Sequence, residues 1–259
     1  MIKKGIEHLK KYGLKDTVNK VIFKFLKKTL NVYFSKLNRI KQIDHNNKFK
    51  KIKIDTTNFN TDLCEIGKKY NTDKSPYHSK HRHAYTGIYH FLFHQVKNEN
   101  LNIAELGCFK NEGMKMFREY FKNANLFGYD IDQKHINNAK NDNLINTKYF
   151  LMDVNNSSSI KEGLSKSTEK FDIIIDDSSH IFEHQINIVK NCIPFLKKNA
   201  YLIIEDIYNK REIHKEENYY KELNDLKNEF SEIYFIQSEH LNRFSPMYNN
   251  DKLLVLIKS

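Results

Sequence analysis

The stretch FDIIIDDSSH, residues 171–180, ends an apolar run in two acids and sets a histidine three residues beyond them. A second run, AYLIIEDI, ends in Glu205 and Asp206. If both runs are strands of one parallel sheet, these acids meet at its carboxyl edge, where such sheets bind ligands. So many carboxylates in one place repel each other unless a cation or protons compensate. Asp177, Glu205 and Asp206 are oxygen donors suited to a hard divalent ion such as Mg²⁺. Histidine exchanges protons around neutral pH, which makes His180 the expected general base. A solvated acidic rim with one helix-capping aspartate is the alternative.

Further acids end three earlier runs. In IAELGCFKNEG, residues 103–113, Glu105 and Gly107 close a strand and Gly113 opens a helix. Gly107 permits close backbone approach, and Gly113 relieves crowding where the helix begins. The position of a second dinucleotide-type glycine holds Phe109, so a diphosphate lacks its usual cradle whereas a ligand without phosphates does not need one. Asp130 ends LFGYD, 23 residues after Gly107, close to the spacing at which a carboxylate accepts ribose hydroxyls. Asp153 follows YFLM, where a base would lie. Each acid alone could simply cap the next helix; three in succession favour a nucleoside site.

The elements that must position these residues alternate. Strand patterns occur at 101–106, 126–130, 147–152, 171–176 and 200–205, with helical periodicity between them. Parallel connections of this kind imply a sheet covered on both faces. Residues 231–237 and 253–258 have no helix between them and read as an antiparallel pair closing one edge. The expected fold is therefore α/β: a Rossmann-like, doubly wound, mostly parallel seven-stranded sheet with an antiparallel C-terminal strand.

A basic helical segment precedes it. Residues 1–51 carry 15 of the 43 Lys+Arg but 3 of the 32 Asp+Glu, so the formal charge of +11 belongs to this segment. Val18, Val21, Ile22, Phe25, Leu26, Leu30 and Phe34 recur at three- and four-residue spacing, the pattern of an amphipathic helix with lysines opposite. Such a helix can lie on an anionic membrane surface, pack on a partner or cover its own domain. Lysines interrupt every apolar stretch, so neither a secretory signal nor a membrane span is expected. The polar residues 44–62 mark the expected boundary, dividing the chain into 1–51 and 52–259. Three widely spaced cysteines, Cys64, Cys108 and Cys192, fit neither a disulfide framework nor a metal clip, and a cytoplasmic setting is expected. His78, His81 and His83 have no thiolate or partner histidine at recognisable spacing, so zinc is not assigned there.

Together these residues resemble class I S-adenosylmethionine-dependent methyltransferases. Within that class the resemblance is to metal-dependent sugar O-methyltransferases of the mycinamicin and macrocin type. It is carried by Asp176-Asp177-Ser178-Ser179-His180, by Glu205-Asp206, and by the lead-in Lys69-Tyr70, Thr72-Asp73-Lys74, Tyr85-Thr86 and Tyr89, over roughly residues 63–258. Ser178 and Asn199 stand where the family more often has glycine. The resemblance implies S-adenosylmethionine held by Glu105, Gly107, Asp130, Asp153 and Asp176. It also implies Mg²⁺ on Asp177, Glu205 and Asp206, with His180 and Asp177 catalytic. The acceptor implied is a sugar hydroxyl, on a nucleotide-linked, capsular or other glycan in a bacterium. The competing expectations are an RNA methyltransferase guided by the basic arm, which carries no nucleic-acid signature, and a silent membrane-bound scaffold. A homo-oligomer is compatible with either.

Overall fold

The computed structural model describes residues 48–245 and 249–259. The expected amphipathic helix lies outside the described residues, and its role stays an expectation. Eight strands form one sheet: β1 (Phe49–Asp55), β2 (Asn102–Leu106), β3 (Asn125–Asp130), β4 (Thr147–Leu151), β5 (Phe171–Asp176), β6 (Leu196–Ile204), β7 (Phe230–Glu239) and β8 (Lys252–Lys258). Their spatial order is β1-β7-β8-β6-β5-β2-β3-β4. The chain winds outward from β2 to β4 on one side and from β5 to β6 on the other, so the topological switch point lies between β2 and β5.

Every described neighbour pair is parallel except those of β8, which runs antiparallel to both β6 and β7. The doubly wound sheet with an antiparallel C-terminal strand is thus as expected. The sheet differs in having an eighth strand. β8 inserts between β6 and β7, and β1 rather than the β7–β8 pair forms the edge. β1 is FKKIKID, in which Phe49 and Ile52 are buried while lysines face outward. Its lysines hide the strand in a composition-led reading, yet charged side chains are what an edge strand needs to resist pairing with another chain. β1 also runs across the boundary drawn at residues 51/52.

Seven α-helices are described: α1 (Asp62–Tyr70), α2 (Tyr85–Phe93), α3 (Glu112–Tyr120), α4 (Gln133–Asn141), α5 (Ser157–Leu164), α6 (Phe182–Cys192) and α7 (Glu216–Leu223). α1 packs on α2 and α3, whereas α6 packs on α5 and α7. Two such groups are what a sheet covered on both faces requires. Short polar caps start several of them: Thr61 accepts from the Cys64 N–H, Asp132 from Lys134, and Asn156 from Ser158 and Ser159. Asn199, at φ 62°, turns the chain inside the irregular start of β6, the left-handed conformation that asparagine tolerates. Among the described residues no helix is long and apolar enough to cross a membrane.

The core is continuous from β1 to α6, joining Phe49, Ile174, Leu202, Tyr219, Phe235 and Leu254. Phe49 lies 4.7 Å from Tyr220 and 6.5 Å from Phe235, ring centre to ring centre. Phe49→Ala should therefore cost about 3–5 kcal/mol, read as a lower urea midpoint. A loss below about 1 kcal/mol, the level of an exposed-site substitution, would show that β1 is not part of the cooperative core.

Candidate active site

The carboxyl ends of β2, β3, β4 and β5 open into a cavity of about 480 Å³. Glu105, Gly107, Asp130, Asp153, Asp177 and His180 all line it. Residues read from four separate stretches of sequence therefore share one cavity, because their strands end together.

Gly107 makes this closeness possible. Its φ is +91°, and a Cβ there would sit 2.3 Å from the Asp177 carbonyl oxygen. No side chain fits, since β2 and β5 flank the switch point and their loops meet at this residue. Gly113 leaves space for the Glu105 carboxylate, from which a Cβ would be 2.4 Å away. The loop between them turns through two left-handed residues, Phe109 and Asn111.

Asp130 does not cap the following helix, a task taken by Asp132. Its Oδ2 accepts from the Phe109 N–H at 2.8 Å, and its Oδ1 from the Asp132 N–H at 2.9 Å, with His135 Nδ1 3.1 Å away. The carboxylate is thereby fixed at the cavity wall with lone pairs to spare. Asp153 accepts from the Asn155 N–H and lines the cavity beside Ile131, Met152 and Val154. Exposed Phe109 and Ile131 add apolar surface at this end.

Asp176 is placed differently from the expectation. It is 1% exposed, absent from the cavity lining, and accepts from the Ser178 N–H at 3.2 Å and the Ser178 hydroxyl at 2.5 Å. Its carboxylate braces the turn that presents Asp177, and Ser178, standing where glycine is commoner, supplies the hydroxyl. Burial, partly offset by the Ser178 hydrogen bond, pushes its pKa up to about 6.

Asp177 and His180 line the other end of the cavity, and Asp206, buried just behind them, offers with them a set of ligand atoms within 4.8 Å of one another. His180 Nε2 is 3.6 Å from Asp206 Oδ2 and 3.9 Å from Asp177 Oδ1. His180 and Asp206 both have positive φ, 54° and 60°, so the backbone is bent to bring these side chains together. Asp206 is further held by Tyr85, whose hydroxyl is 2.7 Å from Oδ1, and by the Asn250 amide, 2.6 Å from Oδ2.

Glu205, expected as a metal ligand, turns inward. Its Oε2 accepts from Lys74 Nζ at 2.9 Å, and its Oε1 from the Tyr89 hydroxyl. Lys74 also bonds Asp177 Oδ2 and lies 3.4 Å from Glu105 Oε1. This lysine is the main feature that the sequence reading misses. Burial works to lower its pKa, but Asp177, Glu205 and Glu105 outweigh it and hold the ammonium well above its ordinary value. Burial drives the acids the other way. Glu105 is pushed up to about 7 against the opposing pull of Lys74, and Glu205 stands well above the carboxylate range.

A second buried cation stands nearby. His83 Nδ1 is 3.0 Å from Asp251 Oδ1, and its Nε2 is 3.6 Å from Asp206 Oδ1. Burial would lower its pKa, but Asp206 and Asp251 prevail and push it up to about 9. The available signals were the quoted Thr72-Asp73-Lys74 and the four-residue spacing of Tyr85 and Tyr89, which sets both hydroxyls on one face of α2. Asp73, His81 and His83 also come within 4.8 Å of one another, a grouping the spacing does not reveal.

Residues 97–249 match the methyltransferase-domain family, more than half of the chain. The chain belongs to that family. Among curated relatives, a rhamnosyl-tetracenomycin-C 3'-O-methyltransferase of Streptomyces olivaceus is 28% identical over 133 residues, 49% of this chain and 33% of its own length. Mycinamicin VI 2''-O-methyltransferase of Micromonospora griseorubida is 24% identical over 155 residues, 57% of this chain and 36% of its own. This methyltransferase domain spans about a third of the length of those relatives. Among solved structures, a methyltransferase of the mycinamycin pathway in complex with Mg and SAH superposes with a TM-score of 0.59. It shares 20% identity and covers 77% of this chain and 55% of that one. The sheet is thus that of class I S-adenosylmethionine-dependent methyltransferases.

The placement of Asp176 gives a pH-dependent prediction for the methyltransferase domain. Its pKa is higher in the fold than in the unfolded chain, so its neutral form favours folding. That contribution is complete below about pH 4 and is lost as the pH rises through about 6. Asp176→Asn should therefore gain stability over wild type above pH 6, by up to about 3 kcal/mol, with the difference vanishing below pH 4. Urea titrations at pH 4 and 8 would show it; an Asn variant less stable than wild type at pH 8 would mean that the fold favours the ionised carboxylate, with the Asp176 pKa lowered rather than raised.

Proposed function

We propose that this chain transfers a methyl group from S-adenosylmethionine to a sugar hydroxyl, assisted by a divalent cation, with His180 as general base. The observation that carries this reading is the single cavity whose lining runs from Gly107, Asp130 and Asp153 to Asp177 and His180. The activities of the relatives, 3'-O-methylation of a rhamnosyl-tetracenomycin and 2''-O-methylation of mycinamicin VI, support a sugar acceptor.

The residues fit both groups. A nucleoside would set its ribose on Asp130 and its base among Ile131, Met152, Asp153 and Val154, with the amino-acid part toward Glu105. Glu105 Oε2 is buried without a hydrogen-bond partner, which suits it to a donor on the ligand. For a hard cation, Asp177 Oδ1 and Asp206 Oδ2 are the converging oxygens; Glu205 is committed to Lys74 and Tyr89. When bound, S-adenosylmethionine supplies an electrophilic methyl on a sulfonium, and the cation supplies charge that acidifies a hydroxyl.

The protein's own part is chiefly orientation. Gly107 lets the cavity floor approach Asp177, so that donor and acceptor sites adjoin. His180, with its Nε2 toward Asp177 and Asp206, takes the hydroxyl proton as the oxygen gains the methyl. Asp177 and Asp206 stabilise the imidazolium that results.

Mass-spectrometric screening of nucleotide sugars and glycosides with S-adenosylmethionine and Mg²⁺ tests chemistry and acceptor together. A gain of one methyl on a sugar supports the proposal, and its loss in EDTA supports the cation. Full activity in EDTA would leave a metal-free methyltransferase. Asp130→Ala should weaken S-adenosylmethionine binding by about 1.5–3 kcal/mol, and unchanged calorimetric affinity would reject the ribose assignment. His180→Ala should keep donor affinity but lose about 10²- to 10⁴-fold in turnover. Wild-type turnover across pH 6–9 would make His180 structural.

A further inference from the structure

Lys74 reaches the carboxylate edge from outside the sheet. It follows α1 in a turn locked by the main chain: the Tyr85 and Thr86 N–H groups donate to its carbonyl at 3.0 and 3.1 Å, and the His83 N–H to that of Asp73 at 2.7 Å. Its side chain is 1% exposed and ends among Glu105, Asp177 and Glu205. The methyl-transfer chemistry above does not use it.

The two oxygens of Asp177 have different surroundings. Oδ2 is bonded to Lys74, and Oδ1 faces His180. Asp206 is divided in the same way. Its Oδ1 lies against the Tyr85 hydroxyl and His83, while its Oδ2 faces His180 and the Asn250 amide. Each acid thus turns one oxygen toward His180; in Asp177 the other is bonded to Lys74, whereas in Asp206 both oxygens have buried donors. An unanchored carboxylate rotates about its last bond and exchanges its oxygens; one bonded on a single oxygen does not.

We propose that Lys74 is a positioning residue that anchors the inner oxygen of Asp177, so that the outer oxygen is held toward Asp206 and His180 as a cation ligand. This inference rests on the proposed cation at Asp177 and Asp206. It departs from the obvious electrostatic view of a buried ammonium, which is that Lys74 competes with a metal ion for the same carboxylates. The two views predict opposite signs. Removing a competing charge tightens cation binding, whereas removing an anchor loosens it.

The probe is Mn²⁺ alone, followed by electron paramagnetic resonance on the full chain, so that no acceptor or turnover is needed. Wild type, Lys74→Met and Lys74→Gln are compared, with Asp177→Asn as the control for the site. Met and Gln both remove the charge, but Gln keeps an N–H donor for Asp177. Anchoring predicts that Lys74→Met weakens Mn²⁺ binding about 10- to 100-fold, the usual cost of losing a partner that orients a metal ligand. It also predicts that Lys74→Gln recovers part of the loss. Equal affinity in the Met and Gln variants, or tighter binding than wild type in either, would overturn the anchoring role while leaving the cation site standing. If wild type binds no Mn²⁺, or Asp177→Asn binds as well as wild type, the cation site itself falls and the anchoring role with it. Should Lys74→Met fail to fold, Lys74→Met/Glu205→Gln is compared with Glu205→Gln, which lessens the buried negative charge and keeps a partner for Tyr89. The same signs decide.

Discussion

Three carboxyl groups, from Glu105, Asp177 and Glu205, meet one buried ammonium at the carboxyl edge of the sheet. Isolated, any of the four charges would be expensive there, since transfer of an ion out of water costs several kcal/mol even after relaxation. Assembled, Lys74 bonds Asp177 and Glu205 and lies close to Glu105, Tyr89 takes the remaining oxygen of Glu205, and the raised pKa values of Glu105 and Glu205 let protons offset the rest. The constraint acts in both directions. Lys74 is tolerable only because three strand ends deliver acids to it, and those acids are tolerable together only because Lys74 arrives. The turn between α1 and α2 is therefore bound to the sheet by charge as well as by packing.

That arrangement divides the carboxyl edge into an inner and an outer layer. The inner layer is closed: Lys74, His83, Tyr85 and Tyr89 occupy Glu205, one oxygen of Asp177 and one of Asp206. The outer layer lines the cavity and contains His180, the other oxygen of Asp177 and the Gly107 loop, with Asp206 Oδ2 beside His180. Register explains why the layers meet. Leu106 of β2 pairs with Asp176 of β5, and Asp176 with Ile204 of β6, so Gly107, Asp177 and Glu205 follow their strands at the same level. Gly107 then has to be glycine, because the Asp177 backbone occupies the space of a side chain.

Much of this was legible in the sequence, for a physical reason. Acids that end apolar strands are placed by the strands, and strands are placed by the parallel rule, so Asp130, Asp153, Asp177 and Asp206 reach one edge without knowledge of any side-chain contact. Direction was less legible than position. Asp176 and Asp177 are neighbours on the chain, and the alternation that sends one to the cavity and the other beneath it depends on the turn that Ser178 closes. Glu205 and Asp206 differ in the same manner, with Asp206 at positive φ. β1 escaped notice because four of its seven residues are charged, although Phe49 and Ile52 provide its buried contacts. Lys74 escaped because nothing in a stretch without strand or helix pattern says where a long side chain will end.

The match to the methyltransferase-domain family begins at residue 97. It includes the strands that carry the acids, but Lys74, His83, Tyr85 and Tyr89 all precede it. The matched region supplies a sheet edge rich in carboxylates and most of the cavity lining; the segment before it supplies the cations and hydroxyls that determine which oxygens remain available. A fold alone does not fix chemistry. In the proposed reaction, the readiness of this edge for a cation and a hydroxyl depends on the residues packed beneath it, which come from α2 and the turn before it.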